Sequence, residues 1–252
     1  MIEITNSKVA GFSPRWAAFR GFTLLFDNPG ESFAVKDGLQ FVDCDKTSPF
    51  YGGLATGLQE IEPDTLVKRY LFCPLPYASY HVTAFDGINE SNITAVSQNH
   101  RSDWENFLHD LPLSIQEQPL LDAIKASDLI TASWPIPFQF AQLELWGASS
   151  LVATLKPQDH HANSLLQRLT LARERFAQQF ETEFHVRPGE HFAPHVTLGY
   201  FANRTLAQQA EAEVDDWNGR FAPFMQDLSI EFQTISLYGF LDMATFFREA
   251  ND

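Results

Sequence analysis

The chain has 252 residues, 44% hydrophobic, with 23 Phe, enough for a substantial core in one large domain or two small ones. Its 17 basic residues are outweighed by 32 acidic ones, a net charge of −15. That balance argues against gripping long nucleic acid through its phosphates, yet a few local donors can still hold a small phosphate ester, a nucleotide or an oligonucleotide end. The opening MIEITNSKVAGF has no basic start followed by an apolar stretch, and no run is long enough for a membrane span. Cys44 and Cys73 lack a second pair for a zinc site, so a cytoplasmic protein with reduced thiols and no membrane association is expected.

In chain order, residues 1–18 show no clear period and read as a leading arm. Residues 20–26 (RGFTLLF) read as a strand, and Asp27-Asn28-Pro29-Gly30 as a turn. A short strand is expected over 39–44, and the glycine-rich, aromatic stretch 50–58 reads as a strand with close backbone approach. Glu62-Pro63 starts a helix in which Leu66 and Tyr70 share a face, and Pro74 and Pro76 break the chain before YASYHVTAFDG. Ser102 and Glu105 stand at capping-box spacing ahead of an amphipathic helix, and another helix is expected over 119–127. TASWPIPF reads as an irregular crossing between lobes, and the segments 142–146 and 151–155 around GASS as a hairpin. From about 162 to 184, Leu165, Leu169, Ala172, Phe176 and Phe180 make a helical stripe. Arg168, Arg173 and Arg175 lie off it and read as a solvated face. APHVTLGYF is a further strand, Thr205 and Gln208 suggest a capped helix reaching Trp217, and two late strands are expected over 228–232 and 235–240. Mixed helices and strands without strict alternation indicate an α+β fold.

The tripeptide His-Val-Thr occurs twice, at His81-Val82-Thr83 and His195-Val196-Thr197, 114 residues apart. In a strand, residues two apart project from one face, so each copy aims an imidazole and a hydroxyl together, with its valine opposed. A lone histidine in a strand is ordinarily a satisfied core or sheet-surface residue. The identical middle residue and the independent strand signals favour reading the pair as one site.

The doubled H-x-T in strand context resembles the 2H phosphoesterase superfamily, which includes bacterial RNA 2′,3′-cyclic phosphodiesterases and related cyclic-phosphate and 2′-5′ hydrolases. The family motif is H-x-[S/T] followed by an apolar residue, and Ala84 and Leu198 fit that last place. The resemblance implies a single bilobal domain over residues 1–252, with a β-sheet and flanking helices in each lobe around a central cleft. The first lobe would contain residues 81–83 and the second 195–197.

Two imidazoles suit hydrolysis of a cyclic phosphate, because one accepts the proton of the attacking water and the other protonates the departing oxygen. The expected catalytic residues are His81, Thr83, His195 and Thr197. His195 is taken as the base and His81 as the acid, although the sequence leaves their order open. Both threonines would donate to the nonbridging oxygens. No metal or cofactor is required, in agreement with the resemblance. Two other readings remain: a non-catalytic nucleotide-binding module using the same cleft, and an acidic interaction protein whose twin motifs are incidental.

Among the other histidines, adjacent His160 and His161 diverge on a helix and lack further ligands at metal spacing. His185 and His191 flank a turn, and His100 and His109 read as ordinary helix residues. By the same-face rule, Phe85 and Phe201 would neighbour the cleft, whereas Tyr80 and Tyr200 would face into packing. Arg20 and Tyr238 lie in strands from which they could reach the cleft.

Overall fold

The computed structural model describes residues 3–11, 16–43, 48–61, 64–116, 119–187 and 192–250. Cys44, Glu62, Pro63 and His191, which figure in the sequence reading, lie outside them. The elements in chain order are β1 (Gly21–Phe26), β2 (Phe33–Lys36), β3 (Leu39–Val42), α1 (Pro49–Glu60), a π-helical stretch (Asp64–Arg69), β4 (Phe72–Pro74), a short 3-10 turn (Tyr77–Ser79) and β5 (Thr83–Asn89). Then come α2 (Gln98–His109), α3 (Pro119–Lys125), α4 (Asp128–Thr131), β6 (Ile136–Trp146), β7 (Ser150–Pro157) and α5 (His160–Phe184). The chain ends with β8 (His195–Phe201), α6 (Arg204–Ala210), α7 (Val214–Met225), β9 (Ser229–Phe232), β10 (Ile235–Phe240) and β11 (Phe246–Glu249).

The fold is α+β, with two antiparallel sheets. One has six strands in the order β2-β3-β11-β10-β1-β5, the other five in the order β4-β8-β7-β6-β9. β1 lies inside the first sheet, between β10 and β5, and is buried along its whole length, so its sequence is nearly continuous apolar rather than alternating. Phe22 and Phe26 face the core, where Phe22 stacks on Trp104 at 5.2 Å and Phe26 meets Phe232 of the other sheet at 4.8 Å. The α5 stripe is buried as its spacing requires, and Asp159 caps the helix by accepting from the Ala162 amide at 2.8 Å. Cys73 is a buried free thiol, raised in pKa by burial.

Several local expectations change. Residues 50–58 are helical, because Pro49 sits in the first turn behind Ser48, and Gly53 and Gly57 serve helix packing. A Cβ on Gly57 would lie 2.8 Å from the Phe221 ring of α7; the close approach is real, but between helices. α2 begins at Gln98 rather than Ser102, since the amides of His100 and Arg101 already bond Ser97 O, each at 3.0 Å. Asn203, not Thr205, caps α6 by accepting from Leu206 N at 2.9 Å. Of TASWPIPF, residues 132–135 are irregular, as expected, and only Ile136, Pro137 and Phe138 are strand, opening β6. Pro137 pairs opposite Glu231 near the start of β6, where a missing N–H costs little, and its carbonyl accepts from Gln158 N at 3.0 Å. No helix among the described residues is long and apolar enough to cross a membrane.

Candidate functional site

The site is built where the two sheets touch. β4 runs antiparallel to the end of β8, with Pro74 opposite Gly199, and Leu75 N donates to Leu198 O at 2.9 Å. The chain then leaves β8 through Pro76 and the 3-10 turn, which is closed by Ser79 N donating to Pro76 O at 2.9 Å. It returns with Val82 in an isolated antiparallel bridge to Val196. The middle residues of the two His-Val-Thr copies are therefore direct partners. Antiparallel pairing sets His81 across from Thr197 and Thr83 across from His195, on the face opposite the valines. Burial agrees: both valines are fully buried, while all four His and Thr residues are half-buried.

Each imidazole is fixed in the same way. His81 Nδ1 lies 2.7 Å from Ser79 O, and His195 Nδ1 lies 2.9 Å from Ala193 O, the carbonyl two residues upstream in both cases. A carbonyl only accepts, so Nδ1 carries its hydrogen in both protonation states and Nε2 is the nitrogen that gains and loses a proton. An aromatic ring backs each imidazole: Phe246 at 4.6 Å from His81 and Trp146 at 4.1 Å from His195. Burial lowers the His195 pKa. The Ala193 hydrogen bond, Asp86 and Glu144 act against that, while Lys8 adds to it.

Both motifs run straight into a β-bulge. Leu25 pairs with Thr83 but Leu24 with Phe85, which leaves Ala84 as the extra residue; Val152 pairs with Thr197 but Leu151 with Gly199, which leaves Leu198. Each bulged carbonyl is satisfied differently. Ala84 O accepts from Arg173 Nε at 3.1 Å, and Leu198 O takes the Leu75 amide already described.

The bulges reverse the alternation that the sequence reading extended past the threonines. Phe201 is turned into the core, on Phe72 at 5.1 Å, away from the site; the Phe85 ring packs on Phe176 at 4.7 Å, yet Phe85 still lines the small cavity beside Thr83 and His195. Asp86 and Tyr200 return to the face of the His/Thr pairs instead. Tyr80 is buried beside Tyr51 and Tyr77 as expected.

Arg173 also departs from the sequence reading, being buried rather than part of a solvated face. With Thr83, Asp86, Trp146, Phe192 and His195 it lines a small cavity of about 100 Å³. Burial lowers its pKa, opposed by Asp86 and Glu174.

Arg20 lies at the far end of β1, its guanidinium on His109 O at 3.3 Å. Tyr238 is buried, donating to Asp27 Oδ1 at 3.0 Å and Glu31 Oε2 at 3.2 Å; burial raises its pKa, reinforced by those carboxylates. Asp27 also accepts from Arg248, Thr234 and Ser236, at 2.7, 2.6 and 2.8 Å. This network ties the ends of β1, β10 and β11 together. No cluster of three or more potential metal ligands occurs among the described residues.

Sequence reasoning missed Asp86, Arg173, Tyr200, Trp146, Phe246 and Lys8. One signal was present for the first and third: Gly87 and Gly199 interrupt the two strands, and an internal strand glycine marks a bulge or a close backbone approach. A Cβ on Gly87 would lie 2.5 Å from Phe22 O, and one on Gly199 2.4 Å from Cys73 O.

No protein-family model matches the chain, and no curated protein matches it. Among solved structures, the crystal structure of a conserved protein of unknown function from Agrobacterium tumefaciens is similar in fold. Its TM-score is 0.51 and its identity 15%, over 97% of this chain and 89% of that one.

Proposed function

We propose that this protein is a metal-independent phosphodiesterase of the 2H type, hydrolysing a 2′,3′-cyclic nucleotide, a related cyclic phosphate or a 2′-5′ linkage in a cleft between two lobes, one per sheet. The observation that carries this reading is the Val82–Val196 bridge. It makes the two motifs partners and gives four side chains one face, with both Nε2 atoms as the titrating nitrogens.

In this mechanism water attacks phosphorus while neutral His195 takes its proton on Nε2. The bond from phosphorus to the sugar oxygen breaks, and protonated His81 gives its Nε2 proton to that oxygen. Thr83 and Thr197 donate to the nonbridging oxygens, where charge accumulates. The lowered His195 pKa supports its assignment as the base, since it keeps the ring neutral further into acid.

The test is turnover of a panel comprising 2′,3′-cyclic mononucleotides, ADP-ribose cyclic phosphate and 2′-5′ oligonucleotides, with folded His81→Ala and His195→Ala variants alongside. Hydrolysis lost in both variants is the expected result. Full activity in both would overturn the assignment, and binding without turnover of any substrate would favour the nucleotide-binding module.

A further inference from the structure

A second pocket lies on the Tyr200 side of β8. It has a volume of about 300 Å³ and lies between the N-terminal arm and the β6–β7 turn, with Asn6, Lys8, Ser149, Tyr200, Asn203 and Arg204 among its lining residues. That is near the lower bound of roughly 300 Å³ for ligand pockets. No carboxylate is among its described lining residues, although the chain carries 32 acidic residues against 17 basic ones.

Lys8 is held in place rather than left to sample solvent. The amides of Thr5 and Asn6 each donate to Ala202 O at 3.0 Å, and Asn6 Nδ2 donates to Phe201 O at 2.9 Å. Lys8 N donates to Asn6 Oδ1 at 3.1 Å, and Lys8 O accepts from Ala17 N at 3.1 Å. The ammonium then donates to Tyr200 OH at 3.2 Å and sits 4.7 Å from that ring and 5.4 Å from Phe19. Aromatic faces and a phenol attract a cation without neutralising it. Neither Lys8 nor Arg204 makes an ion pair among the described residues. Two cations and the Tyr200 hydroxyl, around a hollow with no carboxylate among its described lining residues, suit a phosphate group.

Tyr200 relates the pocket to the second motif. The bulge at Leu198 puts Tyr200 on the face of His195 and Thr197, and the charge of Lys8 is felt at His195.

We infer that this pocket holds a second phosphate of the substrate, so that the protein prefers cyclic phosphates carrying a further phosphoryl group. This rests on the phosphodiesterase reading above.

The experiment compares kcat/KM for adenosine 2′,3′-cyclic phosphate with and without a 5′-phosphate. Calorimetric binding of AMP and of adenosine, which needs no turnover, runs in parallel. Wild type should favour the 5′-phosphorylated substrate at least about tenfold, and AMP should bind more tightly than adenosine by a similar factor. Lys8→Met and Arg204→Met should each reduce both ratios severalfold; a ratio taken within one variant cancels any general loss of folded enzyme.

Ratios near one in wild type, or ratios unmoved by both substitutions, overturn the inference. The two readings fail separately. Hydrolysis without a 5′-phosphate preference sinks the pocket alone, whereas Lys8-dependent AMP binding without hydrolysis of any cyclic phosphate sinks the catalytic reading and keeps the phosphate site.

Discussion

The two His-Val-Thr segments share a local geometry but reach it from different surroundings. The first lies at an edge of the six-stranded sheet, just ahead of β5, with its imidazole on Phe246 and its bulge carbonyl held by the buried Arg173 side chain. The second opens β8, inside the five-stranded sheet, with its imidazole on Trp146 and its bulge carbonyl held by the Leu75 backbone amide. What they have in common is the bond from Nδ1 to the carbonyl two residues upstream and the bulge directly after the threonine. These are the features that orient the imidazole and end the strand face, and the different supports serve the same arrangement.

Breaking either half of this pair should have unequal consequences. The largest effect falls on the imidazoles: His81→Ala and His195→Ala should each lower kcat on a cyclic phosphate by about 10²–10⁴, with circular dichroism verifying the fold. In the proposed mechanism Thr83→Val and Thr197→Val would each remove one donor to the phosphoryl oxygens, and each should lower kcat by up to about 10², with less change in KM.

Arg173→Met tests the asymmetry of the bulges. It strips the side-chain donor from Ala84 O, so denaturant titration should show a loss of about 1–3 kcal/mol. No side-chain truncation can do the same to the second bulge, because its donor is a backbone amide.

The smallest effect concerns pH. With His195 as base, activity should rise with pH through a value below the usual histidine range. Asp86→Asn removes a carboxylate that raises that value, so the acid limb should move to still lower pH. The same depressed pKa bears on stability. The unfolded chain protonates this histidine first, so the contribution of His195 is intact above about pH 6.5 and declines as pH falls from there toward its folded value.

Much of the fold was legible because it is local. The stripe Leu165, Leu169, Ala172, Phe176, Phe180 needs only the period of a helix, and the strand signals around GASS need only alternation and a turn. Residues 50–58 were misread because aromatic and glycine content signals close packing without saying whether a strand or a helix makes the approach. The same limit governed the site. Alternation correctly put His81 with Thr83 and His195 with Thr197, then failed one residue later at Ala84 and Leu198. A bulge is selected by the partner strand, and the partners here are β1 and β7, far away in the chain.

The amino-acid sequence alone determined the two His/Thr pairs, their common face within each strand and the α+β character, since these follow from backbone periodicity over a few residues. Only the tertiary structure decided that Val82 meets Val196, that Asp86 and Tyr200 share the face of the His/Thr pairs, and that Arg173 and Lys8 are held nearby. Pairing register and bulge position are set by contacts between distant segments, which short-range patterns do not encode.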